Sequence, residues 1–162
     1  MTAIDLLTTE DKKVIDHWVN KFPEDRKQSA LLAALTQVQS TNKGWLSPEL
    51  LDAVADYLQL PKINVYEVAT FYSMYELKPV GQYKIEVCTN ISCMLCDSDA
   101  IVKRLEERLG IKLGETTPDG KVTIKEVECI AACTAAPAII VNGIYHEYLT
   151  PEKVDGILEK LS

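Results

Sequence analysis

Four of the five cysteines form two short pairs that could bind a metal cofactor. Four residues separate Cys88 from Cys93, and three separate Cys129 from Cys133. Each pair begins where a predicted strand runs into a loop. Four cysteine thiolates, two on each iron, are the usual ligands of a 2Fe-2S cluster. The spacing therefore predicts an iron-sulfur site, with one short loop on each side of the cluster.

Other uses of these thiols stay open at this point. Structural zinc usually has Cys-x2-Cys pairs or histidine partners, and His17 and His146 are far from every cysteine in the sequence. Cys96 forms a Cys93-x-x-Cys96 motif before a predicted helix, which in a thioredoxin-like domain is typical of a dithiol catalyst. That interpretation gives the other three cysteines no role. Unligated core cysteines are the remaining alternative.

Composition limits the class of protein. The chain has 162 residues, of which 47% are hydrophobic and 25% charged, as in a globular protein of one mid-sized domain or two small ones. A net charge of -7 argues against nucleic-acid and anionic-membrane partners and favours an electropositive protein partner. We expect no secretory signal and no direct membrane insertion. A cytoplasmic location follows, where clustered cysteines bind metals or catalyse more often than they form disulfides.

Residues 1–78 are predicted to form a small helical bundle, because apolar residues recur there at helical spacing without strand alternation. A capping box of Thr8 with Asp11 begins the first helix, and Ser47 before Pro48 begins the third. Asn64 with Glu67 is interpreted as the capping box of the fourth. In the aromatic run 71–75, part is expected in the helix core and part is a possible docking surface.

Residues 79–162 are predicted to form a thioredoxin-like α/β domain. The order is a strand ending at Cys88, a helix over 98–109, a weaker strand over 122–128, a hairpin turning at Asn142-Gly143, and a last helix after Thr150. Val127 is out of phase with its strand, which a β-bulge would explain. If the first two strands are parallel, both cysteine loops leave the same edge of the sheet.

The motifs resemble a known family. Cys88-Thr-Asn-Ile-Ser-Cys93, Glu128-Cys129-Ile-Ala-Ala-Cys133 and Ala136-Pro137 are similar to the thioredoxin-like 2Fe-2S ferredoxin subunits of respiratory complex I, the E subunits of NADH-quinone oxidoreductases. The similarity extends to the N-terminal half through Gly44-Trp45-Leu46 and through residues 65–74. The resemblance implies that Cys88, Cys93, Cys129 and Cys133 bind one 2Fe-2S cluster and that Cys96 does not.

The resemblance also implies a function as one part of a larger enzyme. The chain would carry electrons beside the flavin of the NADH dehydrogenase module of complex I and would not turn over alone. FMN and NADH are expected on a partner, the flavin- and NADH-binding subunit, because this sequence has no glycine-rich phosphate-binding motif. Other complex I subunits would hold it at the inner side of the energy-transducing membrane. No catalytic residues are expected. A diaphorase subunit of an NAD-linked formate dehydrogenase or hydrogenase shares these motifs and is the alternative.

Two positions depart from the family pattern, which commonly has glycine where this chain has Asp97 and Ala131. An alanine at position 131 matters only if the backbone there needs a positive φ. Asp97 would add negative charge near the cluster and disfavour its reduction, so we expect a low potential. Thr89, Asn90 and Ser92 are candidate hydrogen-bond donors to the cluster sulfurs, or simply turn residues.

Overall fold

The computed structural model describes residues 3–161 of the chain. These residues divide into two units, one ending at Pro79 and the other beginning at Val80. The assignment of 1–78 and 79–162 as two domains stays a prediction, because compactness does not show that either unit folds alone. In the described part of the chain, every helix is too short or too polar to span a membrane.

The first unit is helical, as predicted. Besides 3-10 turns at Ala3–Leu6 and Glu24–Ala30, it contains four α-helices: α1 (Thr9–Val19), α2 (Leu31–Thr41), α3 (Pro48–Leu58) and α4 (Lys62–Phe71). The capping box of Thr8 with Asp11 is present in full, and the Ser47 hydroxyl accepts a hydrogen bond from the Leu50 amide before α3. Both predicted starts are confirmed.

The predicted start of the fourth helix is wrong. α4 begins at Lys62, two residues before Asn64, and Pro61 occupies the N-cap position without a side-chain cap. The Asn64 amide already donates to the Pro61 carbonyl, at 3.0 Å. Pro61 has φ of -57°, which suits the entry to a helix, so the backbone turns before the polar pair is reached. The Asn64–Glu67 pattern therefore lies inside the helix.

The aromatic run 71–75, which begins at the last residue of α4, divides between core and surface. Tyr75 is 5% exposed and its hydroxyl donates to the Leu32 carbonyl at 2.9 Å, so it belongs to the core of the first unit. Phe71, Tyr72 and Met74 are exposed. Helix α4 ends at Phe71, so the residues after it do not follow helical periodicity.

The second unit is built on a four-stranded sheet in the order β2-β1-β3-β4. Its strands are β1 (Tyr83–Cys88), β2 (Val122–Val127), β3 (Ile139–Val141) and β4 (Ile144–His146), and its helices are α5 (Ile91–Leu95), α6 (Ser98–Leu109) and α7 (Pro151–Lys160). β1 and β2 are parallel, whereas β3 runs antiparallel to β1 and to β4. The predicted α/β class and element order are confirmed.

Two local details of this sheet test the sequence patterns. Asn142 and Gly143 have φ of 46° and 84°, as a tight hairpin turn requires, so the predicted turn is confirmed. The predicted bulge in β2 is wrong, since β2 pairs with β1 residue by residue through Val127. Thr123 breaks the expected alternation because it is buried, where its hydroxyl accepts a 2.6 Å hydrogen bond from the Gly81 amide.

Candidate functional site

The parallel pairing of β1 and β2 brings the two cysteine loops to one end of the sheet. Cys88 is the last residue of β1, and its register partner Val127 is the last residue of β2. Cys129 follows two residues later. Neighbouring parallel strands end at the same side of a sheet, so both loops leave from adjacent points. The first two strands are therefore parallel, and both cysteine loops leave the same edge of the sheet, as the sequence analysis required.

The first loop holds two buried thiols. Cys88 and Cys93 are 3% and 2% exposed, and they pack in a small apolar cluster with Ile130, Ala132 and Ala138. Cys93 lies on the short helix α5, whose N-cap residue Asn90 accepts a 2.7 Å side-chain hydrogen bond from the Ile91 amide. A capped helical turn therefore returns the chain toward β1 and places Cys93 beside the second loop.

The second loop holds two exposed thiols, Cys129 and Cys133. Within it, Ala131 has φ of 58° and its amide donates a hydrogen bond to the Cys129 sulfur at 3.3 Å. Cys133 begins the 3-10 turn Cys133–Ala135. The Tyr145 hydroxyl of β4 donates to the Ile130 carbonyl at 3.0 Å and ties this loop to the hairpin.

The Cys93 sulfur interacts with the sulfurs of Cys88 and Cys133. Burial raises the pKa of the Cys93 thiol, and a hydrogen bond to Cys88 and the charges of Cys88 and Cys133 raise it further, against the opposing effect of a backbone hydrogen bond from Ala138. The Cys88 thiol also donates to the carbonyl of Glu128, at 3.8 Å. The first pair of cysteines therefore faces the loop that carries the second pair.

Cys96 differs from these four. It is exposed at the C-terminal end of α5, where its amide donates to the Cys93 carbonyl at 3.1 Å. All five cysteines are free. A dithiol catalyst needs an accessible cysteine with a lowered pKa, because the thiolate is the nucleophile. Cys93, the first cysteine of the motif, is buried and its pKa is raised, so Cys93 is poorly suited to act as that nucleophile.

Four thiols on two adjacent loops have the number and the donor chemistry that a binuclear iron-sulfur cluster uses. Within residues 3–161, no three cysteine, histidine or carboxylate side chains converge on one point as ligands of a single metal ion. A 2Fe-2S cluster needs only two cysteines on each iron, so two neighbouring pairs suffice. Amide hydrogen bonds to sulfur, such as those from Ala131 and Ala138, are typical around iron-sulfur clusters.

Two residues near the cysteines make contacts that the sequence did not predict. The Thr89 hydroxyl, a predicted donor to sulfur, donates instead to Oε1 of Glu126. No local sequence pattern indicated the role of Tyr145, because its hydroxyl contacts Ile130, which lies 15 positions away in the sequence. Asp97 and Ala131 both have positive φ, at 69° and 58°. The backbone at position 131 therefore has the positive φ at which alanine is less favourable than glycine.

Comparison with known proteins agrees with this geometry. The E subunit of the NADH-quinone oxidoreductase of Rickettsia felis is 45% identical over 157 residues, covering 95% of this chain and 94% of that protein. Its counterpart from Rickettsia bellii is 46% identical over 143 residues, covering 88% and 86%. The mitochondrial NADH dehydrogenase [ubiquinone] flavoprotein 2 of Dictyostelium discoideum is 38% identical and covers 95% of this chain and 62% of that protein. Named components of NADH dehydrogenases thus align along nearly the whole chain.

The fold is also found in a solved structure. An NAD+-reducing [NiFe]-hydrogenase in the H2-reduced state superimposes with a TM-score of 0.72 at 25% identity, over 81% of this chain and 22% of the hydrogenase chain. The family model for the thioredoxin-like [2Fe-2S] ferredoxin matches residues 15–162. With a helical unit followed by a sheet-bearing unit, two cysteine pairs at one end of the sheet and a family model that matches most of its length, the chain belongs to the thioredoxin-like [2Fe-2S] ferredoxin family.

Proposed function

We propose that this chain is the electron-transfer subunit of an NADH-quinone oxidoreductase and carries one 2Fe-2S cluster beside the flavin of the NADH dehydrogenase module. The observation that carries the proposal is the parallel pairing of β1 and β2, which delivers two cysteine pairs to one end of the sheet. A relative that is 45% identical and is named as the E subunit of that enzyme supports the choice of complex.

Cys88, Cys93, Cys129 and Cys133 would hold the cluster. Burial of the first pair keeps water away from its sulfurs, whereas the exposed second pair leaves one side of the site open toward solvent or a partner. When bound, the cluster supplies a one-electron redox step. The amides of Ala131 and Ala138 donate to the Cys129 and Cys93 sulfurs and stabilise negative charge there.

The partner in this proposal is the flavin- and NADH-binding subunit, which would hold FMN and NADH, since this chain has no phosphate-binding glycine loop. The other complex I subunits would fix the assembly at the cytoplasmic face of the membrane. A diaphorase subunit of an NAD-linked hydrogenase or formate dehydrogenase is the alternative. The hydrogenase likeness supports it at the level of fold, but the 45% identical relative favours complex I.

Metal analysis of the anaerobically purified chain tests the cluster. We expect about two irons and two acid-labile sulfides per chain, visible absorption, and an EPR signal that appears on reduction with dithionite. Serine at any of the four proposed ligands should lower the iron content, whereas the matched control Cys96→Ser should retain it. A colourless protein containing zinc or no metal, even after anaerobic reconstitution, overturns the proposal.

Co-expression tests the partner. The chain should co-purify with the flavoprotein partner that the same genome encodes, and NADH should then reduce its cluster. The isolated chain should show no such reduction, because NADH and FMN bind to the partner. A co-purified complex in which NADH reduces the flavin but never this cluster contradicts the proposed position beside the flavin.

A further inference from the structure

The hydroxyl group of Ser98 is buried without a hydrogen-bond partner. Ser98 is 1% exposed, and its Oγ is the only buried side-chain oxygen or nitrogen without a partner in the part of the chain that the structure describes. Buried hydroxyl groups in proteins are nearly always hydrogen-bonded, and an unpaired one is costly. A serine in a first helical turn often bonds a carbonyl three or four residues back, but Ser98 makes no such bond.

Ser98 lies at the same end of the sheet as the cysteines. It is the first residue of α6, which connects the parallel strands β1 and β2 and therefore runs antiparallel to both. The N-terminal turn of α6 consequently lies where β1 and β2 end, which is where Cys88 and the second cysteine loop are found. Tight turns bring α6 close behind Cys93, because the Cys96 and Asp97 amides donate to the Cys93 and Met94 carbonyls.

The Ser98 side chain shares the helix face that packs on the sheet. Ile101 and Leu105 follow it by three and seven residues, so all three lie on one face of α6. Ile101 and Leu105 are buried in the core that contains Ile85 of β1 and Ile124 of β2. The Ser98 hydroxyl is therefore directed to the sheet side of the helix, at its cysteine end, and not to solvent.

We propose that Ser98 donates a hydrogen bond from its hydroxyl to a bridging sulfide of the 2Fe-2S site, since no cysteine sulfur lies within hydrogen-bond reach of this hydroxyl in the structure. This rests on the proposed function, because it needs the cluster in place. The cluster sulfurs carry more negative charge after reduction, so a donor at this position stabilises the reduced state and raises the midpoint potential. The uncapped N-terminus of α6 adds positive potential of the same sense, since Asp97 provides no side-chain cap.

The test compares Ser98→Ala, Ser98→Thr and a packing control in the full chain loaded with its cluster. We expect Ser98→Ala to shift the midpoint potential to a more negative value and to lose one exchangeable-proton coupling in pulsed EPR of the reduced protein after exchange into D2O. Ser98→Thr keeps a hydroxyl and should retain both properties. Ile101→Val alters packing on the same helix face without touching a hydroxyl and should leave both unchanged.

An unchanged midpoint and unchanged proton coupling in Ser98→Ala overturn the proposal, because a purely structural serine would affect stability and not potential. If the alanine variant does not fold, Ser98→Thr and Ser98→Val, which are matched in volume, repeat the comparison, and equal midpoints in that pair overturn it as well. Iron and sulfide in the wild type separate the two hypotheses: no cluster refutes the proposed function, whereas a normal cluster with an unaffected variant refutes the Ser98 role alone.

Discussion

The Thr89 hydroxyl donates a 2.6 Å hydrogen bond to Oε1 of Glu126. Thr89 immediately follows Cys88, and Glu126 lies in β2, three residues before Cys129. The bond therefore joins the two cysteine loops at their bases, where each leaves its strand. A hydrogen bond from a hydroxyl to a carboxylate is stronger than one between neutral groups, although exposure to water reduces its net contribution to stability.

Removing this bond should shorten the lifetime of the cluster. In Thr89→Val the side chain keeps its shape but loses the donor, so the loops lose a cross-link of about 1 kcal/mol. Cluster loss in air, followed by visible absorbance, should become about fivefold faster, as that energy implies. Thr70→Val is the control, since the Thr70 hydroxyl bonds only within its own helix, to Tyr66 and Glu67. Equal decay of the two variants would refute the role of the Thr89 bond.

Ala131 adopts a backbone conformation that suits glycine better. Its φ of 58° lies in the left-handed region, where the alanine Cβ costs about 1–2 kcal/mol. Ala131→Gly should relieve this strain, offset in part by the greater freedom of glycine in the unfolded chain, and raise the free energy of unfolding by about 1 kcal/mol or less. Urea unfolding followed by circular dichroism measures the change.

The neighbouring residue provides a matched control. Ala132 has φ of -106°, which any residue adopts, so Ala132→Gly relieves no strain. It adds the entropic cost of glycine and removes a buried methyl group from the cysteine cluster, and should lower stability by about 1 kcal/mol or more. The two variants introduce glycine at adjacent positions and are expected to change stability in opposite directions. If both destabilise the protein alike, positive φ at Ala131 is not a source of strain.

Asp97 places a carboxylate between the first cysteine loop and α6. It has φ of 69°, a conformation that aspartate and asparagine tolerate better than most residues. Asp97→Asn therefore keeps the backbone and removes only the charge. Because reduction adds a negative charge to the cluster, loss of this carboxylate should raise the midpoint potential, on the order of tens of millivolts.

A charge farther along the same helix tests whether proximity is the cause. Glu107 is ten residues beyond Asp97, or about 15 Å along α6. That separation exceeds the screening length of about 10 Å at 0.1 M ionic strength, so Glu107→Gln should leave the midpoint nearly unchanged. Redox titrations monitored by EPR give both values. Equal shifts in the two variants would show that overall charge, and not the position of Asp97, sets the potential.

Local patterns predicted the parts of this fold that depend on local interactions. Alternation indicated β1, the Asn142-Gly143 turn indicated the hairpin, and the cysteine spacing identified residues that the parallel strands bring together. The start of α4 was missed because Pro61 turns the chain before the polar pair at 64 and 67. Contacts made by Thr89 and Tyr145 join distant positions of the chain, so no local pattern encodes them.

Asp11 shows how a local signal and distant contacts combine. The capping box with Thr8 was visible in the sequence, but the Asp11 carboxylate also accepts hydrogen bonds from Gln37 and Thr41 of α2, at 3.2 and 2.9 Å. Burial alone would raise the pKa of Asp11, which is 2% exposed, but the hydrogen bonds from Thr8, Thr41 and Gln37 outweigh it and hold the pKa below its usual value. The charged carboxylate therefore joins α1 to α2.

Stability of the first unit should depend on this carboxylate in acid. Because the folded pKa of Asp11 is lowered, its contribution is complete above the unfolded value near 3.8 and disappears as the pH falls through the folded value. The difference in unfolding free energy between wild type and Asp11→Asn should be largest at pH 7 and shrink below about pH 4. Urea unfolding followed by tryptophan fluorescence reports this unit, since Trp18 and Trp45 are the only tryptophans. A pH-independent difference for Asp11→Asn would contradict a stabilising charge at that position.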